Sequence, residues 1–195
     1  IGGDTTAGPL TICITAFGSI PKGKAIRRSG ALDDDDIWVS GTVGDARLAL
    51  AALRHEIELP KEDLASVEAR MHQPTPRLNL GIALRGLANS ALDVSDGLLG
   101  DLRHILKQSG KDAEILLDRI PKSAALRKQV LAIQNQYSAN GGDDYELCFT
   151  APSDKRNVIT KISADLNLPL TQIGNIKSMQ HSAPEILIVG NDGKA

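Results

Sequence analysis

Residues 91–102, ALDVSDGLLGDL, bring two carboxylates and a hydroxyl, Asp93, Ser95 and Asp96, to the point where an apolar, strand-like run gives way to a helical pattern. Along a strand Asp93 and Ser95 share one side. A turn at Ser95 makes Asp96 the N-cap or first residue of the helix, so both carboxylates can face the space beyond the strand's carboxyl end, where open α/β sheets bind ligands. Two hard carboxylate oxygens and a hydroxyl suit magnesium, which takes few protein ligands and keeps waters or phosphate oxygens around itself. Helix capping by Ser95 or Asp96 is the plainer account. It leaves Asp93 unexplained, and an unpaired charge in an apolar strand is costly to bury.

A second acidic cluster, NGGDDYELCF at 140–149, precedes another strand. Asn140, Gly141 and Gly142 permit positive φ and close backbone approach, and Asp143, Asp144 and Glu146 follow at once, as in a ligand-facing loop. Other candidates read more simply. GSIPKGKA at 18–25 has the glycine-lysine spacing of a phosphate-binding loop, but Ala25 replaces the hydroxyl residue that would hold magnesium, so a glycine-proline turn is expected; Arg27 or Arg28 nearby could still contact phosphate. The run Asp33 to Asp36 cannot converge on one ion from an extended segment and reads as a solvated turn. SGTVGD at 40–45 either cradles an anion at a helix N-terminus or is a tight connection capped by Asp45 or Thr42. The four histidines, His55, His72, His104 and His181, have no metal-ligand spacing, and no Ser-His-Asp or Cys-His set is present to support nucleophilic catalysis.

The elements that must hold these residues are legible in outline. Strands are predicted at 9–17, 37–41, 90–94, 113–117, 145–151, 170–176 and 185–189, with helices after Asp45, after Pro60, and over 78–88, 97–108, 123–134 and 153–166. Their alternation predicts an α/β protein with helices on a sheet, and the two late strands predict an antiparallel finish and hence a mixed sheet. The 195 residues are 42% hydrophobic and 24% charged, ordinary for a globular chain. A net charge of −2 and 3% aromatic residues argue against nucleic acid as a partner. No apolar run is long enough to span a bilayer and no leader pattern is present, so a cytoplasmic location without membrane partners is expected. Cys13 and Cys148 lie in apolar runs and read as buried free thiols. The opening IGGDTT, with a glycine pair and an acid at its edge, reads as the start of a fragment.

Taken together, GGDTT at 2–6, LDVSDGLLGDL at 92–102 and GGDDYELCFT at 141–150 resemble the thiamine-monophosphate kinase family, with RSGA at 28–31 and WVSGTVGDA at 38–46 in the family's order. That family is similar to the aminoimidazole ribonucleotide synthetase and selenophosphate synthetase superfamily of ATP-using enzymes. The resemblance implies an α/β fold in which residues 1–29 end an N-terminal ATP-binding domain and residues 30–195 form a C-terminal domain with a mixed sheet. It implies a homodimer when full length, and transfer of the γ-phosphoryl group of ATP to thiamine monophosphate with Mg2+. By resemblance Gly3, Asp4, Arg28 and Ser95 would contact the nucleotide, Asp4, Asp93 and Asp96 would bind magnesium, and the loop with Asp143 and Asp144 would meet the substrate. The family has Gly-Gly-Glu-Asp in that loop, whereas this chain has Asp143 in place of Glu, which leaves open whether Asp143 or Asp144 carries the substrate role. A sister enzyme of the superfamily, or a non-catalytic domain binding a divalent ion, is the alternative.

Overall fold

The structure is a computed structural model that describes residues 8, 9 and 11–190; Gly3 and Asp4 lie outside the described residues. Six strands, β1 (Asp36–Ser40), β2 (Ser90–Asp93), β3 (Lys111–Leu116), β4 (Leu147–Ala151), β5 (Leu170–Ser178) and β6 (Ile186–Val189), form one sheet in the order β2-β4-β1-β5-β3-β6. Every pairing between these strands is antiparallel except β3 with β6. The sheet is therefore mixed, as the sequence predicts, but β5 and β6 are not neighbours. The Asp112 carboxylate accepts from the backbone N–H groups of Gln180 and Glu185, at 2.9 and 2.8 Å, and so holds the connecting loop across the start of β3.

Seven helices flank the sheet among the described residues: α1 (Asp45–Leu53), α2 (Lys61–His72), α3 (Leu78–Ala83), α4 (Leu98–Ser109), α5 (Ala124–Arg127), α6 (Leu131–Asn140) and α7 (Arg156–Asp165). None is long and apolar enough to cross a membrane. Side chains alternate across each strand, so Ile37 and Val39 of β1 face a core built with Leu98, Leu102, Ile105 and Leu106 of α4, while Trp38 between them faces the opposite side. There it stacks on Phe149 of β4, ring centroids 6.3 Å apart, over Leu80 of α3 and Ile159 of α7. Removing each of these large side chains from water contributes roughly 1.5–3 kcal/mol. A third cluster joins α1, α2, α5 and α6 through Leu48, Val67, Leu126 and Tyr137.

Several expectations are corrected. Residues 11–20 form no strand, since no neighbour pairs with them among the described residues, and Ile12, Ile14 and Phe17 are exposed. Cys13 in that segment is exposed rather than buried, whereas Cys148 is buried and its thiol is pushed up to about 12 by loss of hydration. The helix expected at 123–134 is two helices: Ser123 caps α5, and the Gln134 side chain closes off the carbonyls of Arg127 and Gln129 before α6 begins. The helix expected over 78–88 stops at Ala83. Of the acidic run only Asp33 and Asp34 are solvated. Asp35 binds the Asn89 amide and the Leu32 N–H, and the fully buried Asp36 is paired with Arg156 and bonded to Gln172 and Asn175. Residues 18–25 make a turn closed by Lys24 N–H to Pro21 O, with no helix behind it, as expected for a glycine-proline turn.

Candidate active site

β2 ends at Asp93 opposite Leu147 of β4, and the two chains stay hydrogen-bonded beyond the sheet. Val94 N–H donates to Glu146 O, Tyr145 N–H to Val94 O, and Asp143 N–H to Ser95 O, at 2.8, 2.9 and 2.8 Å. The two acidic motifs are thus one structure. A Cβ on Gly142 would stand 2.5 Å from Ser95 O, and one on Gly97 2.7 Å from Asn140 O, so these glycines are what lets the loops touch. Close approach, not positive φ, is the use of the 141–142 pair. The left-handed residues are Asp143 and Tyr145 themselves, at φ 66° and 52°, a strain of about 1–3 kcal/mol at each that the surrounding bonds must hold.

The turn into α4 is not capped by Ser95 or Asp96. Its N-cap is Gly97, and the acceptor is Asp101, 5% exposed, whose Oδ2 takes the N–H groups of Ser95, Asp96 and Gly97 at 2.9, 3.0 and 3.2 Å. With that work done by Asp101, the Asp93 and Asp96 side chains are exposed and have no hydrogen-bond or salt-bridge partner among the described residues. Asp143 is also exposed, its carboxylate 3.4 Å from the Tyr145 hydroxyl. The Tyr145 phenol is pushed up, first by lost hydration and then by the charges of Asp143, Asp93 and Asp96. The backbone pairing of Asp143 with Ser95 and of Tyr145 with Val94 thus brings Asp143 alongside the Asp93–Asp96 turn at the end of β2.

The neighbouring acids point elsewhere. Asp144 is 2% exposed and accepts from Gly44 N–H at 2.5 Å and Ala46 N–H at 3.2 Å, so it occupies the N-terminus of α1. Contrary to the reading of 40–45 as a connection capped by Asp45 or Thr42, neither caps that helix; Thr42 Oγ1 donates to Asp45 instead. Burial raises Asp144 to about 7, with the Asp45 charge adding to the rise and the two N–H groups and Arg70 opposing it. Glu146 is fully buried; it accepts from Ser40 Oγ at 2.5 Å, from Arg70 at 2.8 Å, and from Arg77 through two nitrogens at 2.7 and 2.5 Å. This bidentate bond holds the Arg77 guanidinium more firmly protonated than usual. Arg70 and Arg77 carried no sequence signal, because their partner lies about seventy residues away in the chain.

Among the described residues no three His, Cys, Asp or Glu side chains are close enough to hold a metal by themselves. Asp93 and Asp96 offer two unpaired, hydrated, hard oxygen donors, and that set fits magnesium, which needs few protein ligands and completes its shell with water and phosphate. Ser95 is half-buried, its hydroxyl without a partner among the described residues. Arg28 is exposed, one residue past a bridge between Arg27 and Ser90 at the edge of β2. Beside Asp93 a cleft of about 550 Å³ runs between α3 and residues 20–26, with Lys24, Arg77 and Arg85 along it.

Residues 33–186 match the family described as AIR synthase related protein, C-terminal domain. The thiamine-monophosphate kinase of Salmonella typhimurium is 43% identical over 180 residues, 91% of this chain and 55% of that protein. Among solved structures, the thiamine-monophosphate kinase of Stenotrophomonas maltophilia superposes with a TM-score of 0.80 at 41% identity, covering 90% of this chain and 55% of that one. AaThiL complexed with AMPPCP and TMP superposes at 0.71 with 31% identity, covering 87% and 51%. The chain spans about half the length of the relatives it matches.

Proposed function

The chain belongs to the AIR synthase related family through its C-terminal domain, and from that premise we propose that it is part of an ATP-dependent thiamine-monophosphate kinase. The γ-phosphoryl group of ATP passes to the phosphate of thiamine monophosphate: the bond from the β,γ-bridging oxygen breaks, a bond from an acceptor phosphate oxygen forms, and ADP and thiamine diphosphate leave. The reading is carried by Asp93 and Asp96, left without partners among the described residues at the end of β2 because Asp101 takes the backbone N–H groups they could have capped. It is supported by relatives named thiamine-monophosphate kinase and by a neighbour solved with AMPPCP and TMP.

Transfer between two phosphate groups asks a protein chiefly for position and for neutralised charge. Bound Mg2+ would supply that neutralisation. Asp93 and Asp96 would hold it, with Asp4 as a further ligand outside the described residues. Ser95, Arg28 and Gly3 would meet the nucleotide. Asp143 rather than Asp144 would face the acceptor, since Asp144 is committed to the N-terminus of α1. Residues 1–29 end an N-terminal ATP-binding domain in this reading and 30–195 form the C-terminal one, in a homodimeric, cytoplasmic enzyme. Incubating the complete protein with ATP, thiamine monophosphate and Mg2+ should yield thiamine diphosphate and ADP in equal amounts; ADP with inorganic phosphate alone would remove the proposal.

A further inference from the structure

The loop 141–146 presents alternate side chains in opposite directions. Asp143 and Tyr145 stand out beside Asp93 and Asp96, while Asp144 and Glu146 point in and are buried. The outward pair is held in left-handed backbone that a tyrosine disfavours, so something must oppose the loop's relaxation. Backbone bonds from Asp143 and Tyr145 to Ser95 and Val94 fix one side of it. On the other side α1 begins at Gly44 with no side-chain cap of its own, leaving orphan N–H groups to be satisfied. Asp144 satisfies two of them from 98 and 100 residues away.

We propose that Asp144 is a positioning residue: by locking loop 141–146 onto the N-terminus of α1, it sets where Asp143 and Tyr145 stand relative to Asp93 and Asp96. Its carboxylate is buried against the N-terminus of α1, turned away from the exposed carboxylates. One substitution at this point therefore acts through residues on either side of it. Glu146 complements it at the next inward position, tied to Ser40 and to two arginines, so the fold itself does not hang on Asp144.

The test compares Asp144→Ala and Asp144→Asn with the parent in the complete protein, by amide hydrogen exchange and by kinetics. If Asp144 serves only as a cap, exchange rises at Gly44 to Ala46 and nowhere else. As a positioning residue it also protects Asp143 and Tyr145, whose exchange should rise about tenfold in the alanine variant. Should the alanine variant fail to fold, the asparagine variant, equal in shape and able to accept only one of the two bonds, decides by the same readout. The kinetic arm rests on the kinase reading: KM for the phosphoryl acceptor should rise about tenfold while KM for ATP holds. Unchanged exchange at Asp143 and Tyr145 overturns the proposal. Faster exchange in a protein that makes no thiamine diphosphate overturns the kinase reading and leaves the tether standing.

Discussion

Asp144 shows how one carboxylate can take its character from burial against the pull of its own hydrogen bonds. Two N–H donors and Arg70 favour its charged form, yet lost hydration and Asp45 win, and the group titrates near 7 instead of the ordinary 3.8. Between those values the folded chain binds a proton that the unfolded chain has released, so this residue's contribution to stability is greatest below about pH 4 and declines as pH rises to about 7. Urea midpoints of the parent and of Asp144→Asn, measured from pH 4 to 8, should show the parent losing stability relative to the variant as pH rises to about 7. A constant difference would mean that the carboxylate is ionised throughout. No pattern in the sequence distinguishes Asp144 from Asp143. The two are adjacent and alike, and only the packing of the loop on a helix a hundred residues earlier separates an inward acid from an outward one. Asp93 and Asp96 were legible for the opposite reason, since a strand running into a helix fixes both within four residues.

At the scale of elements, the junction between β2 and α4 depends on Asp101 more than on the residues that mark it in sequence. Its carboxylate gathers three consecutive N–H groups from within the helix's own first turn. Replacing it by alanine leaves those donors short of an acceptor, at a cost of about 1–3 kcal/mol, and frees the backbone that aims Asp93 and Asp96. Asp101→Ala should therefore unfold at lower denaturant concentration than the parent; an unchanged midpoint would show that water satisfies the turn equally well. The helical pattern opening at Leu98 made α4 legible from sequence, and the run IWVSG after the acidic stretch did the same for β1. Local pattern failed where partners are distant or lacking: the strand-like alternation of 9–17 finds no neighbour for residues 11–17 among the described residues, and β6 pairs with β3 across the loop held by Asp112.

For the whole molecule, the mixed sheet acts as a frame that brings two loops, about fifty residues apart in sequence, to the end of β2 and β4. One face of that frame is filled by α4 and the other by α3 and α7, so the exposed carboxylates Asp93, Asp96 and Asp143 stand at the edge where the strands end. There Asp93 and Asp96 stand exposed with no side-chain partner among the described residues, hard oxygen donors that a cation can reach, which is the physical reason for assigning them to one. The Mg2+ dependence of turnover tests that assignment most directly, with Asp93→Asn and Asp96→Asn set beside the parent in the complete protein. Each variant should need more Mg2+ for half-maximal thiamine diphosphate formation and should lose about tenfold or more in turnover at low Mg2+. Parent and variants with superimposable Mg2+ curves would contradict the account, because the two carboxylates would then have no part in gathering the ion.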